Sequence, residues 1–202
     1  MNAQPPEIVL LVEEPSMAAL LEVVLPTLVP SAVAFRVIPH QGKNDLDRSF
    51  PRKLKAWGNP NARFIVLRDN DGVDCRKLKK ELANLCPRHA RQSVKIRLVM
   101  QMLESWILGD LLALGRAFNK PQLADRQDSR KFRNPDDLAN ASEEVVRLVP
   151  EYQKVSGARE VAKYMTPADN RSTSFRAFRS GLAALVKDII SQTSCRTDAG
   201  DE

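Results

Sequence analysis

Acidic side chains directly follow two predicted β-strands of this sequence. Glu13 comes immediately after the apolar run Glu7–Val12. Asp69 and Asp71 come after the apolar run Arg63–Arg68. Side chains at positions i and i+2 of an extended chain point the same way, so the two aspartates can present two carboxylates to one site. Together with a third carboxylate from a neighbouring strand, they form the oxygen-rich ligand set that Mg²⁺ uses when a phosphate completes its coordination.

The same acidic residues also have a purely structural interpretation. Acids at strand ends often cap the following helix, and the run Asp-Asn-Asp-Gly at residues 69–72 is favourable turn chemistry. Gly72 permits a tight turn whether or not a metal is bound. The Asp-x-Asp pattern alone leaves the metal site and the turn open as alternatives, and the glutamate after the first strand favours the metal site.

The elements that must position these acids alternate regularly along the chain. Predicted strands lie at residues 7–12, 32–38, 63–68 and 93–100, and predicted helices at 17–28, 46–57, 74–85 and 103–118. Alternation of this kind predicts an α/β fold with a mainly parallel four-stranded sheet flanked by helices. Ligands of such sheets bind outside the carboxyl ends of the strands, which is where the acids are predicted to lie.

The sequence changes in character after the fourth predicted helix. We assign residues 1–118 to the α/β domain and residues 119–140, which are polar, to a loop or insert. Residues 141–191 carry helical patterns and are predicted to form a C-terminal extension packed on the α/β domain. Residues 192–202 are polar and are predicted to be a disordered tail.

The net charge of +6 is distributed unevenly. It is −3 over residues 1–42, +11 over residues 43–133 and −2 over residues 134–202. A basic middle region indicates a face that contacts phosphates, although a solvated Lys/Arg surface has the same composition. Lys43, Lys95 and Arg97 are the candidate phosphate-binding residues. Aromatic residues are only 5% of the chain, which argues against a base-stacking platform.

Several classes of protein are excluded or disfavoured. The sequence lacks both the Gly-x-Gly-x-x-Gly fingerprint and a P-loop, so we expect neither dinucleotide binding nor P-loop ATP hydrolysis. It contains no apolar run of the ~18–20 residues that span a bilayer, and no signal peptide is expected. Three widely spaced cysteines without a Cys-x-x-Cys motif fit a reducing compartment. We therefore predict a cytoplasmic protein that does not associate with a membrane.

Four short stretches resemble those of a known family in order and spacing. They are Val12–Ser16, Val66–Cys75, Glu104–Asp110 and Ser172–Phe178, and together they place the likeness over most of residues 7–180. A strand followed by glutamate, a turn and a helix, with a later strand ending in Asp-x-Asp-Gly, resembles the Toprim domain of topoisomerases, DnaG-type primases and overcoming-lysogenization-defect (OLD) nucleases. More specifically, the chain resembles a Toprim-related family of unknown function often encoded beside AAA- or ABC-type ATPases.

The resemblance implies a Mg²⁺- or Mn²⁺-dependent site that acts on phosphodiesters. Glu13 would match the glutamate taken as general acid/base, and Asp69 and Asp71 the metal-binding pair. Glu104 is a candidate for a further acidic metal ligand, and Glu13 is a candidate ligand of the same metal. The implied function is a nuclease acting on DNA or RNA, working with an ATPase partner and connected with phage defence.

The sequence departs from the family pattern at the turn after the first strand. That turn usually reads Val-Glu-Gly-Pro-Thr-Glu, whereas here Glu14 replaces the glycine and Met17 the last glutamate. The alternative is therefore a non-catalytic interaction subunit of an ATPase complex with a degenerate site. A receiver-like or phosphohydrolase domain ranks last because it needs an aspartate, not Glu13, after the first strand. The sequence does not predict the oligomeric state.

Overall fold

Four parallel strands form the centre of the fold. The computed structural model describes residues 4–197, with side chains through residue 191. The strands are β1 (Glu7–Val12), β2 (Ala34–Pro39), β3 (Ala62–Asp69) and β4 (Val94–Val99). They are hydrogen-bonded in the order β2-β1-β3-β4, and each neighbouring pair is parallel. The predicted α/β class, with a parallel four-stranded sheet flanked by helices and a C-terminal helical part, is confirmed.

The helices of the described chain cover both faces of this sheet. They are α1 (Pro15–Leu28), α2 (Lys43–Ala56), α3 (Cys75–Leu85), α4 (Glu104–Leu108), α5 (Leu111–Ala117), α6 (Ala141–Leu148), α7 (Lys154–Ala162) and α8 (Thr173–Thr197). Short 3₁₀ helices occupy Arg88–Ser93, Pro121–Arg126 and Pro135–Asp137. Lys43, which precedes the helix predicted over residues 46–57, is the first residue of α2.

The central strand β1 supplies side chains to two separate cores. All six of its residues are buried, as expected for a strand covered on both faces. Alternation along the strand sends Ile8, Leu10 and Val12 into one core and Val9 and Leu11 into the other. The first core is shared with α1 and α4 to α8, and the second with α2 and α3.

The apolar segment predicted as one helix over residues 103–118 is divided into α4 and α5. Gly109 and Asp110 lie between the two helices. Asp110 caps α5, because its Oδ1 accepts a hydrogen bond from the Ala113 amide nitrogen at 2.9 Å, while Oδ2 accepts one from the Thr166 amide nitrogen at 2.9 Å. The prediction of a continuous helix was wrong because apolar periodicity does not reveal a cap inside an apolar run.

The part of the chain after α5 packs on the first core. Residues 119–140 contain two of the 3₁₀ helices, and Phe132, which lies between these helices, is fully buried. α6, α7 and α8 all add buried side chains to the same core. α8 continues through Thr197, six residues into the predicted tail, and residues 198–202 lie outside the described part. The proposed domain boundaries stay a prediction.

Membrane spans and free thiols were both considered in the sequence. None of the helices described between residues 4 and 197 is long and apolar enough to cross a membrane. Cys75 and Cys86 are free thiols, and the side chain of Cys195 lies outside the described residues. The cytoplasmic location itself stays a prediction.

Gly109 is expected to be intolerant of a side chain. A Cβ there would overlap Oδ1 of Asn170 and lie 3.0 Å from the Ser172 amide nitrogen. Asn170 cannot move aside cheaply, because its side chain bonds the Trp106 carbonyl at 2.8 Å and the Ser172 amide at 2.9 Å. We expect Gly109→Ala to lower the free energy of unfolding by about 1–3 kcal/mol in urea denaturation.

The matched control for this substitution is Gly58→Ala. A Cβ at Gly58 meets no described atom within 4 Å, so this change should leave the urea midpoint nearly unchanged. Equal midpoints for the two variants would contradict the role assigned to the close contact between Gly109 and Asn170.

Candidate metal and phosphodiester site

The strand order reverses between β1 and β3, and the predicted acids lie at this point. The chain passes from β1 to β2 on one side and returns to β3 on the other side of β1. Such a switch point leaves a crevice at the carboxyl ends of the two strands. Glu13 follows β1, and Asp69 is the last residue of β3. The Asp69 amide nitrogen donates a hydrogen bond to Oε2 of Glu13 at 3.0 Å, so the structure brings these two residues together.

Asp69 is a buried carboxylate with an unsatisfied oxygen. Asp69 is 6% exposed, and its Oδ1 atom has no hydrogen-bond partner within the described part of the chain. Burial raises the pKa of Asp69 well above its usual value, and the nearby charges of Glu13, Glu14, Glu104 and Asp71 raise it further. A cation or a proton bound here would relieve the cost of burying this charge.

Asp71 has a different environment from Asp69. Its backbone is left-handed, with φ 48°, and Gly72 follows with φ 74°. The extended alternation assumed for the two aspartates therefore ends at this turn, which the Asp71 amide holds by donating to the Gln101 carbonyl at 3.2 Å. The Asp71 side chain is 39% exposed and forms an ion pair with Lys43 at 2.8 Å.

The pKa of the Glu13 carboxyl group is raised above its usual value. Burial raises its pKa, and the charges of Asp71 and Glu14 add to this effect. The hydrogen bond from the Asp69 amide and the positive charge of Arg68 oppose the shift without cancelling it. A carboxyl group with a raised pKa is better suited to exchange a proton near neutral pH, which fits the general acid/base role implied for Glu13.

Glu104 is the first residue of α4 and is also buried at this edge. It is 1% exposed, and its Oε1 has no hydrogen-bond partner among the described residues. Burial raises the pKa of Glu104, Glu14 adds to the shift, and Lys154 opposes it. Glu104 is therefore a second buried carboxylate with a free oxygen near Asp69.

Lys154, from the first turn of α7, is a site residue that sequence reasoning missed. Its Nζ donates to Oε2 of Glu14 at 2.6 Å, across 140 positions of sequence. Burial lowers the pKa of Lys154, but the bond to Glu14 and the charges of Glu104 and Asp69 outweigh burial and raise it. No local pattern predicts this contact, because it depends on the packing of α7 against α1.

Glu14, which stands where the family pattern has glycine, is held by this chain's own groups. It occupies the N-cap position of α1. Besides the Lys154 contact, its Oε1 accepts a hydrogen bond from the Ser16 hydroxyl at 2.5 Å. The extra negative charge at the turn is thus partly compensated inside the protein.

The carboxylates suit a divalent cation in chemistry but do not yet form a ligand set. Within residues 4–191, no group of three or more His, Cys, Asp or Glu side chains is arranged to hold a metal ion. Carboxylate oxygens are nevertheless the ligands that Mg²⁺ prefers, and Asp69 Oδ1 and Glu104 Oε1 are free to accept one. These residues have the right chemistry for Mg²⁺, but their side chains would have to move before they could coordinate one ion together.

The three predicted phosphate-binding residues lie in different places. Lys43 is at the carboxylate edge, through its pair with Asp71. Arg97 is instead held between β4 and α8, since its Nε donates to the Ala177 carbonyl at 3.1 Å and its Nη1 to the Ile96 carbonyl at 3.0 Å. Lys95 lies near the start of β4, away from the carboxyl ends. Phosphate binding by these residues stays a prediction.

The fold is thus a parallel α/β sheet with acidic residues at its switch point. Residues 12–183 match the model of the family described as "Domain of unknown function (DUF4276)". Since the match spans most of the chain, the chain belongs to that family. The curated proteins include no match to this chain.

Solved structures give the fold relationship in more detail. The chain is similar to the C-terminal region of the Burkholderia pseudomallei OLD protein, with a TM-score of 0.56 and 18% identity over 90% of this chain and 97% of that one. It is also similar to the C-terminal region of the Xanthomonas campestris pv. campestris OLD protein, with a TM-score of 0.55 and 15% identity over 93% and 97%. At this identity the likeness establishes a shared fold.

Proposed function

We propose that this chain is a Mg²⁺- or Mn²⁺-dependent nuclease that cleaves phosphodiester bonds of nucleic acid. The observation that carries the proposal is the pair of buried carboxylates, Asp69 and Glu104, each with an oxygen that has no partner in the described chain. Both lie at the sheet edge where α/β folds bind ligands. Buried, unpaired charge is costly to stability, and it persists most readily where a ligand uses it.

Each residue of the site has a role in this proposal. Asp69, Asp71, Glu104 and Glu13 would hold the metal, which when bound supplies a polarised phosphoryl oxygen and an activated water. Glu13 would hold and move the proton at its carboxylate. The carboxylates alone would repel a polyanion, so positive charge nearby must reverse the local field, and Lys154 contributes to it.

The ATPase partner and the connection with phage defence are further proposals that rest on the resemblance. These 202 residues contain no P-loop, so we propose that a partner hydrolyses any ATP that this chain's function requires. We propose that this partner is of the AAA or ABC type and that both proteins act in the cytoplasm. Co-purification of the chain with the product of an adjacent ATPase gene would test this pairing.

Calorimetric titration of Mg²⁺ or Mn²⁺ tests the site directly. The wild type should bind the ion, with and without a short DNA duplex, and an Asp69→Asn/Asp71→Asn variant should lose that binding because two anionic ligands become neutral. Glu13→Gln should lower metal-dependent cleavage of the duplex by about 10²–10⁴-fold, the usual size of a general acid/base contribution.

Glu22→Gln is the matched control for these substitutions. Glu22 is an exposed glutamate of α1 that pairs with Arg159, away from the switch point. Its replacement should leave metal binding and cleavage unchanged. Metal binding that survives in the Asp69/Asp71 variant would overturn the site assignment.

A second candidate function is a non-catalytic subunit of an ATPase complex. It is favoured by the ion pairs that already engage Asp71 and Glu14, and by the lack of a three-ligand arrangement in the described residues. The titration separates the two functions: no metal binding by the wild type, with or without DNA, would favour the subunit and reject the nuclease.

A further inference from the structure

A basic groove runs along the edge of the sheet, outside the carboxylate site. It has a volume of about 530 Å³ and lies between α3 and α8, beside the edge strand β4. Its floor is apolar and includes Ile96 and Leu98 of β4 and Met100, the residue that follows this strand. Its charged residues are Arg76, Lys79 and Arg97. We call this feature the β4 groove.

The positive charge of the β4 groove is not neutralised by acidic neighbours. Arg76 and Lys79 are exposed on α3, and neither forms an ion pair with a described carboxylate. Among the described residues, the Arg97 guanidinium donates hydrogen bonds to two neutral carbonyl groups, those of Ala177 and Ile96. The groove therefore presents three uncompensated cations, which favours an anionic occupant.

Two outward backbone groups at the edge of β4 are already hydrogen-bonded to side chains of this protein. The Val99 carbonyl accepts from the Asn70 amide on the β3 side, so the backbone groups of residues 96, 98 and 100 face outward. The outward Ile96 carbonyl already accepts from Arg97, and the outward Met100 amide donates to Ser174 Oγ at 3.2 Å. An acidic peptide added as a fifth strand would have to break these bonds, which favours a nucleic acid as the anion.

The groove begins beside the carboxylate site. At the end of the groove near the carboxyl end of β4, Cys75 Sγ lies 3.3 Å from Met100 Sδ and 3.4 Å from Asn70 Nδ2. Asn70 is the residue directly after Asp69. One end of the groove is therefore lined by Cys75, which contacts the residue next to Asp69, so a polymer lying in the groove would lead toward the proposed site of cleavage.

We propose that the β4 groove binds the phosphate backbone of one nucleic acid strand leading to or from the carboxylate site. The inference rests on the nuclease function proposed above and adds the path of its substrate. The described residues lining the groove include no aromatic side chain, so recognition is through phosphates and sugars and is independent of base sequence.

Charge reversal on the two exposed faces of α3 tests the groove. Arg76→Glu/Lys79→Glu changes residues that line it, whereas Lys77→Glu/Lys80→Glu makes the same charge change on exposed residues of α3 that do not line it. The full-length variants are compared for binding of a fluorescein-labelled 20-nucleotide single strand, as DNA and as RNA, and of a 20-base-pair duplex. Binding is measured by fluorescence anisotropy in EDTA at several salt concentrations, with circular dichroism to verify folding.

The groove variant is expected to lose about tenfold or more affinity relative to the control variant. For the single strand, loss of two phosphate contacts should also reduce the slope of log K against log salt by about 1.4. The milder Arg76→Ala/Lys79→Ala variant should lower the affinity and the salt slope in the same directions. Selective loss for either the single strand or the duplex supports the proposal and identifies which form the groove takes.

Three results would overturn the proposal. Equal losses in the two variants would mean that only overall charge matters. Absence of oligonucleotide binding by the wild type at low salt would reject a nucleic acid path. Binding of a labelled polyglutamate peptide that depends on Arg76 and Lys79, without such dependence for oligonucleotides, would assign the groove to an acidic protein.

The binding assay in EDTA separates this proposal from the nuclease itself. If metal titration fails but the groove variant selectively loses oligonucleotide binding, the chain is a nucleic acid-binding protein without the proposed metal site. If metal-dependent cleavage is found but the groove and control variants bind alike, the nuclease stands and the path is wrong.

Discussion

Asp69→Asn is expected to stabilise the metal-free protein at neutral pH while it removes metal-dependent cleavage. The substitution eliminates a buried negative charge whose Oδ1 has no partner in the described chain. The free energy of unfolding should rise by about 1 kcal/mol or more, because the neutral amide avoids the cost of a buried charge among other carboxylates and each pKa unit of such a cost is about 1.4 kcal/mol. Urea denaturation in EDTA measures the gain, and a cleavage assay with Mg²⁺ measures the loss.

The pH dependence of stability follows from the same burial. Burial and four neighbouring carboxylates raise the pKa of Asp69 in the folded state above that of the unfolded chain, which is about 3.9. The folded protein therefore holds the proton more tightly. The resulting stability is fully present below the unfolded pKa and is lost as the pH rises through the folded-state pKa.

Asp69→Asn should flatten this pH profile in the metal-free protein. Part of the slope remains in the variant because the pKa values of Glu13 and Glu104 are also raised. Added Mg²⁺ should restore stability to the wild type at neutral pH, since binding to the folded state alone adds to its stability. The ion should restore little to the variant.

Asp45→Asn is the control, because its pKa shift has the opposite direction. The Asp45 carboxylate accepts a hydrogen bond from the Gln41 amide, and this bond lowers its pKa. Neutralising Asp45 should therefore give no gain in stability. A gain of the same size for both aspartates, or a loss for Asp69→Asn, would contradict the account of Asp69 as a carboxylate held in place for a ligand.

Trp106→Ala is expected to cause the largest loss of stability by a single side-chain truncation. Trp106 is fully buried, with ring centroids 4.9 Å from Phe175 and 5.2 Å from Phe178. Its Nε1 donates to Ser174 Oγ at 2.9 Å. Removal of the ring should cost about 3–5 kcal/mol, from lost burial and the cavity left behind. Urea denaturation followed by far-ultraviolet circular dichroism measures this independently of tryptophan fluorescence.

Two further variants separate the contributions of this residue. Trp106→Phe removes the hydrogen bond and part of the ring, so its loss should be smaller than that of Trp106→Ala. Trp57→Ala removes the other tryptophan, which is only half-buried and stacks edge-on against Phe64 at 5.5 Å. If Trp57→Ala cost as much as Trp106→Ala, the contact between α4 and α8 would not be the dominant anchor of the C-terminal helices.

The Trp106 contact also matters for the site, because Glu104 lies two residues before it on α4. Ser174 of α8 accepts a hydrogen bond from the Trp106 ring. The position of the Glu104 carboxylate therefore depends on a helix that begins about seventy residues later in the chain. This dependence explains why the sequence could suggest Glu104 as a ligand but could not predict its burial or its unbonded oxygen.

Much of the fold was predictable from local patterns. The uninterrupted apolar run of β1 predicted a strand buried on both faces, and the alternation of strands and helices predicted the parallel sheet. Glu13 directly follows β1 and Asp69 is the last residue of β3, so the general rule for parallel sheets was enough to predict their common edge. These features depend on periodicity and on adjacent residues, which a sequence displays directly.

Other features were decided only by tertiary structure. The left-handed backbone of Asp71 ends the extended alternation and turns its carboxylate to Lys43, and Arg97 bonds the backbone of α8 instead of facing the carboxylate edge. Lys154 reaches Glu14 across 140 residues. Such contacts depend on how helices pack over the sheet, and that packing is determined by the complementary shapes and charges of distant segments, which no local pattern encodes.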